Sequence, residues 1–426
     1  MRKSPPKDDV NPILDLVEQI KKKHDLNHDI VSDGGVTDII SFCNDPTLLD
    51  LPGNNLRLYT GQKVILKAFY MGTLGNENVE LSEDEWKWLE EKQQLSAVHK
   101  LKLKLSGVDK GEKHNFNFRE LNLACGRRSG KTLLTSIIAV YEAYKLCKLG
   151  DPYKYYNIPY DEEIAIINVA NSQDQAKRLF AQIKARLRNG PYFRNRVQGG
   201  GESSSHMRLY TNVDLQKMQD QNINVAVDGS ICLVCGHSNA NTIRGYSAIC
   251  ILFDELQFYT EHTVVSGRYF YNTLIPSLSK FRSGGKDDGK IVEISSTGAP
   301  SGVFYDIHRR AMNVENETNR TVLGFRLATW DINEEISYDD LSSERESDSE
   351  SFNVEYGAMW SITGYVGNYF PEMLVRQSFK AYRHPMERRG PGDVNFMHID
   401  PASTHDSYTI MVIKRERYVT FRGEKR

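Results

Sequence analysis

Cys125–Thr132 reads CGRRSGKT, directly after the apolar run LNLAC and ahead of the helical stretch TLLTSIIAVYEAYKLCK. Small residues let successive backbone N–H groups wrap a phosphate at a helix N-terminus. Gly126, Arg127, Arg128, Ser129 and Gly130 are therefore assigned to a phosphate-binding loop. Lys131 is placed to reach the β- and γ-phosphates of ATP, and the Thr132 hydroxyl to ligate Mg²⁺. Cys125 stands where such loops usually begin with glycine, but strand, loop and helix follow in the required order.

A second cluster comes more than a hundred residues later, at Ile249–Glu255, ICILFDE. An apolar strand that delivers Asp254 to its carboxyl end supplies a second anchor for Mg²⁺, through the metal's water shell. Glu255, one residue on, is suited to polarise the attacking water as a general base. Alone, a strand ending in two acids is a weak signal; paired with the phosphate loop it points to ATP hydrolysis. Gln62, within Leu58–Tyr70 (LYTGQKVILKAFY), has an amide able to bond an adenine edge, a reading preferred to that of an ordinary glutamine on an amphipathic helix. Ser295, Ser296 and Thr297 end the next strand, where hydroxyls could sense the γ-phosphate.

The elements that must position these residues follow an α/β rhythm from Leu56 onward, in which apolar strands alternate with polar-faced helices. Strands are expected at Leu121–Cys125, Glu163–Val169, Ala248–Phe253 and Lys290–Ser295, each suited to a parallel sheet buried on both faces. ICLVC, holding Cys232 and Cys235, reads as a further strand, and this lone C-x-x-C has no second pair at zinc spacing. A helix from Gln173 carries Ala176, Leu179, Phe180, Ile183 and Leu187 inward and its basic residues outward. His99–Leu105, HKLKLKL, alternates like a strand with Lys100, Lys102 and Lys104 on one face. That face suits phosphates, but an edge strand guarded by lysines is the simpler reading. Pro12–Lys23 reads as a helix, and Tyr338–Ser351, acidic and serine-rich, as a flexible linker.

The 426 residues leave room for two or three domains, and a formal charge of -2 excludes a protein that coats nucleic acid by bulk charge. No apolar run is long enough for a membrane span and the N-terminus has no signal-peptide character, so a membrane partner is not expected. Six scattered cysteines fit a reducing cytosol.

With these pieces in order, the sequence resembles the large terminase subunits of tailed bacteriophages. LYTGQKVILKAFY, ACGRRSGKT, NVANSQDQAKRLFAQIKARL, IRGYSAICILFDE, ISSTGAPSG, FNVEYGAMW and HIDPASTHDSYT carry the likeness, from about residue 56 onward. It implies a P-loop NTPase fold with a mainly parallel sheet flanked by helices. The corresponding division is an extension over 1–55, an ATPase domain over 56–330, a lid or linker over 331–365, and the first strands of an RNase H-like nuclease over 366–426. It also implies a motor that packages double-stranded viral DNA into a procapsid, in the host cytoplasm. Implied partners are the capsid portal, the small terminase subunit and further copies of the chain in a ring. Ser295–Thr297 becomes the coupling motif, Arg127 or Arg128 the loop arginine, and Arg244 a candidate finger for the adjacent subunit. Asp400 matches the first metal-binding acid of such nucleases, which use Mg²⁺ or Mn²⁺, and Asp406 is a weaker second. The remaining acids are expected beyond Arg426, so no useful nuclease activity is expected from these residues. A superfamily 2 helicase and a nucleotide-gated module that binds the portal are the alternative readings.

Overall fold

The computed structural model describes residues 35–109, 116–199, 203–220, 228–237, 243, 245–259, 267–282, 287–361, 395–400 and 409–414. They divide into two compact units, one within 1–366 and one within 367–426. The expected helix at Pro12–Lys23, Arg244 and Asp406 lie outside the described residues.

The first unit is built on a seven-stranded sheet. Its strands are β1 (Glu120–Cys125), β2 (Ile164–Ala170), β3 (His206–Leu209), β4 (Ile231–His237), β5 (Ser247–Asp254), β6 (Lys290–Ser295) and β7 (Val322–Leu327), in the order β3-β4-β2-β5-β6-β1-β7. All neighbours are parallel except the edge pair β3–β4. Every residue of β1, β2, β5 and β6 is buried, because helices cover both faces and leave no polar side for alternation. The four strands expected at stated bounds thus form, each within a residue of its expected ends, and ICLVC forms β4. β3 and β7 have no counterpart in the sequence reading: one has four residues, and the other is interrupted by Gly324 and Arg326.

In chain order the helices used below are α1 (Thr60–Tyr70), α2 (Leu95–Asp109), α3 (Lys131–Lys148), α4 (Gln173–Asn189), α5 (Gly267–Leu274), α6 (Gly302–Met312), α7 (Ser342–Ser347) and α8 (Ser349–Glu355). α3 lies in the middle of one layer, with nearly all of its residues buried. α4 starts at Ser172, whose Oγ accepts from the Gln175 N–H, and buries the apolar stripe read from its sequence. On the other face, Phe253, Phe270, Leu274, Phe304 and Ile307 belong to a second core.

Two expectations fail here. HKLKLKL is not a strand but part of α2. Leucine, lysine and alanine are good helix formers, and spacing of four puts Lys100 and Lys104 on one buried side. The Lys100 ammonium donates to the carbonyls of Ala311, Asn319 and Val322, and Lys104 to that of Phe116, so this face is neither a lysine-guarded edge nor a phosphate surface. Tyr338–Ser351 is also not a linker. It contains α7 and the start of α8, whose N-cap Asp348 accepts from the Glu350 and Ser351 N–H groups, and Phe352 packs on Trp330.

In the second unit β8 (Asn395–Asp400) pairs antiparallel with β9 (Thr409–Lys414), and Asp400 closes β8 opposite Thr409.

Candidate nucleotide site

The three sequence clusters meet because of strand order. β5, β6 and β1 are adjacent and parallel, with Asp254 in register with Ile294 and Ile294 in register with Leu123. Their carboxyl ends therefore form one rim, from which the phosphate loop, Ser295–Thr297 and Glu255 all project. In open α/β sheets ligands bind at such a rim.

Lys131, at the first position of α3, is only 8% exposed. Its Nζ lies 3.5 Å from Glu255 Oε1 and donates to Ser296 Oγ at 3.3 Å and to the Cys125 carbonyl at 3.5 Å. Glu255 Oε2 accepts from the Ser295 hydroxyl at 3.0 Å and from the Ser296 N–H at 3.1 Å. The acid residue, the lysine and two members of the serine–threonine motif thus form one network. Glu255 reaches it by leaving β5 in the left-handed region, with φ 52°, a conformation that costs about 1–2 kcal/mol outside glycine. Strain of this kind collects at functional sites.

Asp254 is also 8% exposed. Burial first, and then the charge of Glu255, push its carboxyl up to about 7, with Lys131 partly offsetting them. A divalent cation beside it would displace the proton. Thr132, half-buried, follows Lys131 on α3. Hydroxyl and carboxyl oxygens are hard donors, and magnesium bound with a nucleotide takes only one or two protein ligands. Among the described residues no group of three or more His, Cys, Asp or Glu could hold a metal by itself. Ser129 Oγ, in the loop, is buried without a hydrogen-bond partner among the described residues. The residues present fit a magnesium–triphosphate.

The loop is fixed from behind by residues the sequence reading missed. The Gly126 N–H donates to the Leu327 carbonyl, and the Arg127 N–H to that of Glu355. Thr329 Oγ1 donates to the Arg127 carbonyl at 2.7 Å, and Asn333 Nδ2 to the Arg128 carbonyl at 2.8 Å. A Cβ on Gly126 would stand 2.3 Å from the Tyr356 carbonyl, so only glycine fits. Arg127 Nε pairs with Glu355 at 2.7 Å, while Arg128 is exposed, with φ 61°. Gly130 also has positive φ, and a Cβ there would meet Gln62 Nε2 at 2.3 Å. Gln62 is buried; its Oε1 accepts from the Tyr59 N–H and its Nε2 donates to the Ser129 carbonyl at 3.3 Å. Thr297 Oγ1 turns away from the lysine and donates to the carbonyls of Val354 and Met359. The only sequence signal for this backing was FNVEYGAMW, which carries Glu355 and Tyr356.

Other candidates separate from the site. Cys232 and Cys235 sit on β4, their thiols each pushed up to about 11 by burial, which disfavours the thiolate a metal needs.

A parallel sheet whose rim carries a phosphate loop, an acid-ended strand and a polar third motif defines a P-loop nucleotide-binding protein. Residues 15–357 match the family described as "Uncharacterized protein MJ0330, N-terminal P-loop domain", and the chain belongs to that family. No curated protein sequence matches it. Among solved structures, it is similar to the Thermus phage P74-26 large terminase ATPase domain, at 17% identity and a TM-score of 0.39, over 66% of this chain and 98% of that one. The HK97 bacteriophage large terminase aligns at 12% identity and a TM-score of 0.42, over 86% and 67%. For the large terminase of a thermophilic bacteriophage the values are 14%, 0.37, 62% and 53%, so the match spans about half of that protein's length. Scores this low do not assign a function. Among the described residues no helix is long and apolar enough to cross a membrane.

Proposed function

We propose that this chain is the ATP-hydrolysing motor of a large terminase, which moves double-stranded viral DNA into a procapsid. The observation that carries the proposal is the single network joining Lys131, Glu255, Ser295 and Ser296. Magnesium-bound ATP supplies the electrophilic phosphorus and a strongly polarised phosphate. Lys131 exchanges Glu255 for phosphate oxygens, and the loop N–H groups and Ser129 Oγ complete the cradle. Thr132 and Asp254 would hold the metal. Glu255, freed on one oxygen but still fixed by Ser295 and Ser296 on the other, is poised to take a proton from water. Because Ser296 bonds both Lys131 and Glu255, and Thr297 bonds the segment that continues from α8, loss of phosphate at the loop is felt there.

Arg127 or Arg128 serves as the loop arginine, Arg127 only by giving up its pairing with Glu355, and Arg244 is kept as the finger offered to a neighbouring subunit. Gln62 scaffolds the loop, and an adenine contact would require it to give up its bond to Ser129. The motif blocks support a portal, a small terminase subunit and a homo-oligomeric ring as partners, and the host cytoplasm as the setting. Asp400 is retained as the first acid of a nuclease-type metal site. The test is steady-state hydrolysis with nucleotide binding measured in parallel. Glu255→Gln is expected to bind ATP normally and to hydrolyse it about 10²–10⁴-fold more slowly. Near-wild-type turnover in that variant would end the assignment.

A further inference from the structure

A cleft of about 600 Å³ lies apart from the phosphate loop, lined by Tyr305, His308, Arg309, Arg326 and Trp360, with Glu315 its one carboxylate. The wall is aromatic: the Trp360 ring centre lies 4.8 Å from that of Tyr305 and 5.4 Å from that of His308, with Phe304 behind at 6.2 Å. Arg309 and Arg326 are both exposed, and neither is in an ion pair among the described residues. Their neighbour Arg310 shows the contrast, since it is tied to Glu120 and Tyr271. His308 donates no charge, because burial first and Arg326 second push its imidazole down to about 4, so the cationic groups are the two guanidiniums.

Two unpaired guanidiniums beside a half-buried indole are the chemistry that grips a phosphate and stacks a planar ring. The cleft is also wired to the nucleotide site. Thr297 Oγ1 holds the carbonyl of Met359 at 2.8 Å, and the Ser361 N–H donates to the Gly298 carbonyl at 2.8 Å. Trp360 is therefore clamped on both sides by the segment that begins with Ser295 and Ser296. We propose that this cleft holds a nucleic-acid strand, with a phosphate between Arg309 and Arg326 and a base or sugar face against Trp360. The inference rests on the DNA-motor reading, and it makes Trp360 the point where grip and phosphate sensing meet.

The test is fluorescence anisotropy with labelled single-stranded and duplex oligonucleotides across a KCl series, with ATP binding measured on the same protein. The double variant R309A/R326A removes two exposed side chains and should leave folding and ATP binding intact. It is expected to weaken binding at least 10-fold and to reduce the salt slope by about 0.7–0.9, the loss of one phosphate contact. Trp360→Leu should weaken the single strand about 5-fold or more, with Trp360→Phe restoring most of it. Unchanged affinity and slope in R309A/R326A, with the wild type binding both oligonucleotides, would overturn the cleft and leave the motor reading intact. A wild type that hydrolyses ATP but binds neither oligonucleotide would overturn both.

Discussion

Lys131 and Lys100 are both buried lysines on helices beside the same sheet, 8% and 1% exposed, and their surroundings separate a site from a scaffold. Lys100 donates to three backbone carbonyls, which complete its three-donor ammonium and leave nothing for a ligand to take. Lys131 faces a carboxylate, a hydroxyl and one long bond to a carbonyl, partners that a phosphate can replace. Burial of a charge marks neither role; what the charge is spent on decides it.

The comparison breaks first on stability. Lys100→Met strands three carbonyls between α6 and β7, and should cost about 2–4 kcal/mol in denaturant unfolding. ATP affinity in that variant, measured by calorimetry under native conditions, should be unchanged; a weakened nucleotide site would mean that Lys100 is not merely structural. Lys131→Ala should do the reverse, lowering ATP affinity about 10–100-fold while unfolding at or near the wild-type midpoint. Ser295→Ala should sharpen the picture, because it leaves Glu255 with one fewer donor on Oε2. Hydrolysis is expected to fall about 3–10-fold with little change in nucleotide affinity, read from kcat against KM.

The smallest effect is a pH dependence. Burial first lowers the Lys100 ammonium to about 8 from an ordinary 10.5, with Arg310 adding to the shift and Glu120 opposing it. Below pH 8 the lysine is protonated in both states and contributes no slope. Between about 8 and 10.5 the unfolded chain retains a proton that the folded protein has shed, so this residue makes stability rise with pH. Lys104 and Lys290, also lowered to about 8 by burial, act in the same direction. Lys100→Met should flatten the rise, and an unflattened curve would remove Lys100 as a contributor.

Much of the nucleotide site was legible because phosphate loops are local. Gly126–Thr132 needs only a strand before it and a helix after it, and both are contiguous in the chain. Asp254 and Glu255 were legible for the same reason, at the end of a wholly apolar strand. The grip of Thr329, Asn333 and Glu355 on the back of the loop was not legible, because those side chains meet it from more than 200 residues away in sequence. The role of α2 was misread because alternating lysine and leucine satisfies a strand pattern, while the carbonyls that accept Lys100 belong to α6, β7 and the connection between them. The acidic 338–351 stretch looked unable to fold alone, and it is ordered by contacts such as Phe352 on Trp330 that composition does not reveal.

The sequence by itself determined the chemistry available: a glycine-framed loop, one lysine, one threonine and two acids, each set at the end of a strand or the start of a helix by local propensity and burial. The tertiary structure alone decided that β6 lies between β5 and β1. That placement brings Ser295 and Ser296 between Lys131 and Glu255 and ties Thr297 to the chain beside Trp360. Strand order is a non-local choice, made by packing both faces of the sheet, and no window of sequence encodes it.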